Sequence, residues 1–243
     1  MAPQVLTDVR LYVGEYDLSG DHVSVALSYS AELLDDTVFG DTTRSRAGGL
    51  KTVGLSGEGF WSGGAGLVDA VLFDKIGLAD VPVTVAPAGE TLANDAYLFR
   101  ANAGQYAPGA TIGELLRFSV SAEGSGGAGV MRGKLLHVGS ETVTGAGAKQ
   151  VLGAVAAGQS IYAALHVLTV SGTNPTLDLL LQSDPDGSAG GETTRITFTQ
   201  ATGITSEWKS LVGAITDTYW RASWTLGGTN TPTFEFVLAV GII

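Results

Sequence analysis

Glycine makes up 35 of the 243 residues of this chain, about twice the usual share. The glycines stand between short apolar segments and are not gathered in one linker, so they indicate turns. Several of these segments alternate between apolar and polar residues. In residues 22–30, one side of the predicted strand carries Val23, Val25, Leu27 and Tyr29. A period of two is typical of a half-buried strand. The sequence therefore predicts an all-β, or mainly β, protein with many turns.

The order of elements predicts two domains. Residues 1–142 contain several such strands and one short amphipathic helix within residues 63–77. Periodicity fades over residues 143–158, where alanine and glycine dominate. Beyond this junction, six short strands are predicted at residues 160–171, 176–183, 194–200, 209–212, 219–225 and 233–240. That spacing is typical of a sandwich or jelly roll. We therefore predict a β-barrel or sandwich with one flanking helix over residues 1–142, and a jelly-roll or immunoglobulin-like β-sandwich over residues 150–243.

The charge and cysteine content exclude several classes of function. The net charge is −11, which argues against binding of duplex nucleic acid through its phosphates. The chain has no cysteine, so disulfides, thiolate metal sites and thiol nucleophiles are impossible. No apolar run approaches the ~20 residues of a membrane span, and the start MAPQVLTDVR does not look like an export signal. Charged residues make up only 15% of the chain, which favours a surface that is buried on assembly.

No cluster of side chains predicts catalysis, a metal site or a cofactor. The acidic group around Asp36 is expected to lie in a solvated loop, and residues 184–187 (Asp-Pro-Asp-Gly) form a turn signal without the further ligands of a calcium loop. The glycine-rich run at 124–129 predicts a hairpin turn. Among the late aromatics, Trp220 and Trp224 share one face and are expected in a core, although a sugar-binding platform stays open.

One block carries a recognisable order of features. After a strand come the acidic segment Glu32-Leu33-Leu34-Asp35-Asp36-Thr37 and the turn Val38-Phe39-Gly40-Asp41, with Arg44 and Arg46 close behind. Gly49-Leu50-Lys51 then leads into a second strand. This order resembles the tail tube (major tail) proteins of long-tailed bacteriophages. The second half resembles the additional β-sandwiches of phage virion proteins.

The resemblance implies a tail-tube-like domain whose subunits form hexameric rings that stack into a hollow tube for genome delivery. Residues 32–49 are strongly polar and predict a long irregular connection between two strands. The resemblance implies that residues 35–49 of this connection reach the adjacent ring, where the charged residues make the inter-subunit contact: Asp35, Asp36, Asp41, Arg44 and Arg46. The implied partners are other copies of the chain, other tail proteins, and DNA as a cargo that does not stick to the lumen. No cofactor is implied. The implied location is the virion, after synthesis in the host cytoplasm.

The distribution of charge agrees with a conduit for DNA. Residues 1–143 carry 17 acidic and 9 basic side chains, and an acidic lumen would repel phosphates. Two alternatives stay open, namely a capsid decoration protein and a carbohydrate-binding virion β-sandwich. We expect none of the three to be an enzyme, because no nucleophile, base and acid are brought together by the sequence pattern.

Overall fold

The computed structural model describes residues 8–188 and 190–243; the first seven residues, on which part of the export-signal prediction rests, lie outside them. Strands account for 62% of the structure and helix for 5%, which confirms the predicted all-β class with one short helix. The elements are β1 (Arg10–Val13), β2 (Tyr16–Asp17), β3 (His22–Asp35), β4 (Arg46–Phe60), α1 (Val68–Lys75), β5 (Val81–Ala86), β6 (Asp95–Gly109), β7 (Arg117–Ser125), β8 (Met131–Glu141), β9 (Gly145–Ala146), β10 (Gln150–Val151), β11 (Ser160–Asp184), β12 (Thr193–Thr197), β13 (Thr205–Val212) and β14 (Tyr219–Ile242).

The chain forms two compact units that interleave along the sequence. The sandwich unit comprises residues 8–20, 81–100 and 131–243, and the hairpin unit comprises residues 21–80 and 101–130. These ranges differ from the predicted division into residues 1–142 and 150–243. The reason is strand pairing, because β8 pairs with β14 over eight positions, from Gly133↔Gly241 to Glu141↔Phe234. The strand before the predicted junction thus shares a sheet with the last strand of the chain.

In the sandwich unit the strand order is β12–β11–β14–β8–β6–β5–β1–β2, with β13 on β11 and the short β9 and β10 on β14. Strand β5 lies between β6 and β1, although it contains Pro82 and a proline within a strand usually marks a sheet edge. Pro82 is tolerated because it is the second residue of β5, just outside the last β1–β5 pair at Val13↔Val83. Its carbonyl accepts a hydrogen bond from Gly14 N–H at 2.9 Å.

Strands β11 and β14 each contribute to both layers of the sandwich. Trp224 and Phe236 are twelve positions apart in β14, which is about 40 Å along a straight strand, yet their ring centroids lie 5.7 Å apart. The strand pair must therefore fold back between them. The register shifts at this point, between Ser171 and Thr176 of β11. The sequence had predicted each of these long strands as two separate strands.

The core of the sandwich unit contains the predicted aromatics. Trp220 is fully buried and Trp224 is 6% exposed, and both belong to one apolar cluster with Leu165 and Leu179 from the two halves of β11. Their indole N–H groups are satisfied, since Trp220 donates to Gly153 O at 2.9 Å and Trp224 to Val143 O at 3.0 Å. The prediction that both rings face the core is confirmed, so neither ring can form a sugar-binding platform.

In the hairpin unit the strand order is β3–β4–β7–β6, with residues 101–109 supplied by β6. The predicted helix is present as α1, which buries Val68, Val71 and Leu72. The buried face of the sheet carries Val53, Leu55, Phe118 and Ala122. In the described part of the chain, no helix is long and apolar enough to cross a membrane.

Candidate assembly surface of the hairpin unit

Strands β3 and β4 form a long antiparallel hairpin at one edge of the sheet. Their register runs from His22↔Gly59 to Asp35↔Arg46. On its other side β4 pairs with β7, whereas β3 pairs with no second strand among the described residues. The outer edge of β3 beyond His22 (residues 23–35) therefore presents a row of backbone N–H and C=O groups, which is the usual template for adding a strand from another chain.

The segment predicted as a long irregular connection, residues 32–49, is strand only over its first four and its last four residues. β3 continues to Asp35 and β4 starts at Arg46, so that only residues 36–45 connect them. The expectation of an irregular stretch holds for residues 36–45. It was wrong for the two ends of the segment, where a bulge interrupts the alternation: the register shifts between Ala31 and Leu33. Such a shift hides the period of two on which the sequence prediction relied.

The five predicted contact residues lie together at the end of this hairpin. Asp35 and Arg46 are directly opposite each other as the last pair of the ladder, and Asp36, Asp41 and Arg44 lie in the connection. Two carboxylates stabilise the shape of this connection through hydrogen bonds. Asp35 Oδ1 accepts from Thr37 Oγ1 at 2.6 Å and from Thr37 N–H at 3.1 Å, and these hydrogen bonds lower the pKa of Asp35. Asp41 Oδ2 accepts from Val38 N–H at 3.1 Å.

The same hairpin end carries large apolar side chains that the sequence reasoning missed. Every residue from 28 to 35 is exposed, so neither face of the hairpin is covered there. The tip patch consists of Leu33, Leu34, Val38, Phe39 and Leu50, with exposed fractions of 61%, 48%, 67%, 110% and 82%. Adjacent leucines such as Leu33 and Leu34 point to opposite faces of a strand, and this was the available signal that both faces need a partner. An exposed apolar cluster of this kind marks an interaction site.

One face of the sheet is lined by small hydroxyl side chains. The register places Ser24, Glu58 and Ser119 in one row, Ala26, Ser56 and Ser121 in the next, and Ser28, Gly54 and Glu123 in a third. The opposite face of β4 is buried at Val53, Leu55, Gly57 and Gly59. The serine face is therefore the exposed side of the sheet. The charged residues in these rows are Glu58 and Glu123. Arg117 lies in the next row beyond Glu58, toward the end of β4, where it is opposite Phe60.

The acidic cluster around Asp184 in the sandwich unit is internally satisfied. Asp184 Oδ1 accepts from the N–H groups of Asp186 and Gly187 at 3.0 and 2.8 Å, which confirms the predicted turn. Its other oxygen binds Lys149 Nζ at 2.9 Å, and this lysine also contacts Glu192 at 2.9 Å. The hydrogen bond from Lys149 is the main reason why the pKa of Asp184 falls to about 2. An ammonium thus occupies the point at which these carboxylates converge.

Two histidines of the sandwich unit are buried in their neutral form. His166 Nδ1 lies 2.6 Å from Gly14 O and its Nε2 lies 2.8 Å from Thr84 Oγ1. His137 stacks on Phe236, with ring centroids 4.0 Å apart. Burial lowers the pKa of each histidine to about 4. Across residues 8–188 and 190–243, no group of three or more His, Asp or Glu side chains is placed to hold a metal ion.

Comparison with known proteins gives structural neighbours only. No family model matches the sequence, and no curated protein matches it. A chain from the virion of a native gene transfer agent particle aligns with a TM-score of 0.41 and 14% identity, over 51% of this chain and 95% of that one. The SPP1 Dit protein, described as a paradigm of the hub adsorption apparatus in phages infecting Gram-positive bacteria, aligns with a TM-score of 0.42 and 14% identity, over 98% and 100%.

A chain of the anti-feeding prophage baseplate aligns with a TM-score of 0.42 and 11% identity, over 54% of this chain and 97% of that one. These neighbours are components of phage tails and related injection systems. All three TM-scores lie below 0.5, so the role of this chain has to be inferred from its own surface.

Proposed function

We propose that this chain is a structural subunit of a phage tail, in which hexameric rings of identical copies stack into a tube that conducts the genome. The observation that carries the proposal is the β3–β4 hairpin, whose outer half is exposed on both faces and carries five large apolar side chains. A hairpin of this kind is marginal in water by itself. Packing against other copies would cover it.

Lateral assembly uses the free edge of β3 in this proposal. A neighbouring copy that pairs with this edge would extend the sheet from one subunit to the next and remove the exposed edge. The small side chains of the serine face, such as Ser24, Ala26 and Ser28, leave room for a closely packed continuous sheet. The charged residues Asp35, Asp36, Asp41, Arg44 and Arg46 then lie at the end of each hairpin, where they contact the adjacent ring.

The serine face is assigned to the lumen. The serine hydroxyls carry no positive charge that would hold phosphates, and the carboxylates of Glu58 and Glu123 repel a polyanion. DNA is therefore a cargo and not a ligand. The proposed role is structural and not catalytic, and the other partners would be further tail proteins of the same virion.

The test is the association state of the purified protein, followed by sedimentation velocity and negative-stain microscopy over a range of concentrations. We expect oligomers that grow into hollow tubes of constant bore. If the purified protein forms no tubes but binds to capsid lattices, the result would favour a decoration protein instead. A protein that stays monomeric at high concentration would contradict the proposal.

A matched pair of variants tests the role of the edge. Ala26 on β3 and Ser56 on β4 are directly opposite each other on the serine face, so that a lysine at either site adds the same charge to the same surface. Lysine on an edge strand opposes strand addition. Ala26→Lys should therefore weaken association at least tenfold, whereas Ser56→Lys should leave it within about twofold. Equal effects of the two substitutions would rule out the β3 edge as the contact.

A further inference from the structure

We infer that the tip patch of one copy docks on a second apolar surface at the opposite end of the same sheet in the next copy. This inference rests on the proposed assembly and names the surface that receives the hairpin. The base patch consists of Trp61, Ile112, Leu115 and Leu116, with exposed fractions of 36%, 104%, 72% and 39%. It belongs, like the tip patch, to the hairpin unit.

The two patches are joined by one strand. β4 runs from Arg46 beside the tip patch to Phe60 beside the base patch, and its 15 residues span about 50 Å. At the base, Trp61 N–H donates to Leu116 O at 3.0 Å, which fixes the loop that precedes β7 against the end of β4. The two patches thus lie next to the two ends of β4, and the length of β4 sets their separation.

Two unlike ends of one chain make a heterologous contact when they meet. Such a contact leaves one tip and one base free at the ends of each assembly, so it repeats without limit along the direction of the strands. Phe39 by itself can bury about 150–250 Å², and the patch has four further large apolar side chains that are 48% to 82% exposed. A second copy can therefore bury a substantial part of the ~800 Å² per partner of a standard stable interface. A second copy of this chain is therefore an occupant of adequate size.

Local charge also favours a second copy. Although the chain carries a net charge of −11, the tip region nearly balances its acidic residues Glu32, Asp35, Asp36 and Asp41 against the basic residues Arg44, Arg46 and Lys51. The loop at the base balances Glu114 against Arg117. Neither end therefore repels the other, whereas most of the molecular surface would repel a like-charged copy.

Another exposed apolar surface of the hairpin unit fits less well. It consists of Phe73, Ile76 and Leu78, at 69%, 41% and 47% exposure. The same segment contains three aspartates, Asp69, Asp74 and Asp80, and one lysine. Because this surface is acidic, it lacks the balance of charge that the base offers. The base patch is therefore the expected acceptor, and the helix surface serves as the competing site in the test.

The absence of native cysteine allows a direct test by disulfide trapping between full-length copies. Val38→Cys protein is mixed with Leu115→Cys protein under mild oxidation, and the crosslinked dimers are identified by peptide mass mapping. We expect at least ten times more 38–115 product than 38–73 product from a parallel mixture with Phe73→Cys. A third mixture with Ser56→Cys, an exposed mid-strand site, controls for random collision. The double variant Val38→Cys/Leu115→Cys should give a ladder of covalent polymers.

The outcomes separate this inference from the proposed function. A 38–73 product, or a 38–38 product that exceeds the 38–115 product, would overturn the base patch as acceptor while tubes could still form through the β3 edge. Monomers with no crosslink at any concentration would overturn both. A second measurement is independent of oxidation: Leu115→Asp should shorten the tubes as strongly as Phe39→Asp does, and tubes of normal length from Leu115→Asp would also overturn the inference.

Discussion

The two units differ in where their apolar side chains lie. The sandwich unit buries its aromatic residues in a closed cluster that includes Trp220, Phe234 and Phe236, whereas the hairpin unit leaves Phe39 and Leu50 almost wholly in solvent. The sandwich unit thus gains its stability within one chain. The hairpin unit leaves part of its potential core unfilled. This exposed apolar surface is what the proposed assembly would cover, since burial of apolar surface is the main favourable term in both folding and association.

The largest expected effect lies in the core of the sandwich unit. Trp220→Ala removes a fully buried ring and its hydrogen bond to Gly153 O, so the free energy of unfolding should fall by about 3–5 kcal/mol. Urea denaturation of the full chain measures the change. Trp220→Phe, which keeps most of the volume, should lose less than half as much. A Trp220→Ala protein of unchanged stability would show that the sandwich unit does not depend on this buried ring, in contradiction to the difference drawn between the two units.

Acid should weaken the sandwich unit first, because it contains both buried histidines. The pKa of His137 and of His166 is about 4 in the folded protein and about 6.5 in the unfolded chain. Since the unfolded state takes up the protons first, stability is full above pH 6.5 and falls as the pH drops toward 4, by on the order of 3 kcal/mol for each histidine.

Unfolding measured at pH 7.5, 6.0 and 5.0 checks this expectation. His166→Gln should remove about half of the change in the free energy of unfolding with pH, because one of the two titrating groups is gone. Asp184, with a pKa of about 2, does not contribute until the pH falls below its unfolded value near 4. A stability that stays constant from pH 7.5 to 5.0 would show that these rings accept protons in the folded state.

The hairpin unit has a packed region of its own at the base of β4, and one glycine tests it. A Cβ on Gly59 would lie 2.0 Å from Asp21 O and 2.7 Å from the ring of Phe118. Gly59→Ala should therefore lower the free energy of unfolding by about 1–3 kcal/mol. It should also speed up amide hydrogen exchange in β4. Gly48, near the other end of the same strand, has no atom within 4 Å of such a Cβ, so Gly48→Ala should leave stability unchanged. Equal costs would mean that the two ends of β4 are packed alike.

The smallest effect on stability is expected at the tip patch. Phe39→Ser changes a fully exposed side chain, so the free energy of unfolding of the monomer should shift by less than about 0.5 kcal/mol. Association should weaken at least tenfold, which corresponds to about 1.4 kcal/mol. Sedimentation velocity and urea denaturation of the same sample separate the two quantities. A loss of stability without a loss of association would place Phe39 in the core of its own subunit.

Local patterns were sufficient for much of the fold. Alternation and glycine spacing predicted an all-β chain, the helix around Val71, the turn at Asp184 and the inward direction of Trp220 and Trp224. Each of these depends on neighbours within a few residues, and such neighbours are visible in the sequence. The candidate site was predicted in part: the charged residues from Asp35 to Arg46 do lie together, but the apolar side chains among them were overlooked.

The features that the sequence left open all depend on partners far away in the chain. The pairing of β8 with β14 brings Glu141 opposite Phe234, and it draws the strand before the predicted junction into the sandwich unit. The folding back of β14 brings Trp224 against Phe236, and a bulge near Ala31 lets the hairpin extend beyond the point where the alternation ends. By itself the sequence determined the class of structure and which faces are apolar. Only the tertiary structure decided which of those faces are covered, because burial is a property of the contacts between distant segments and not of the period along one strand.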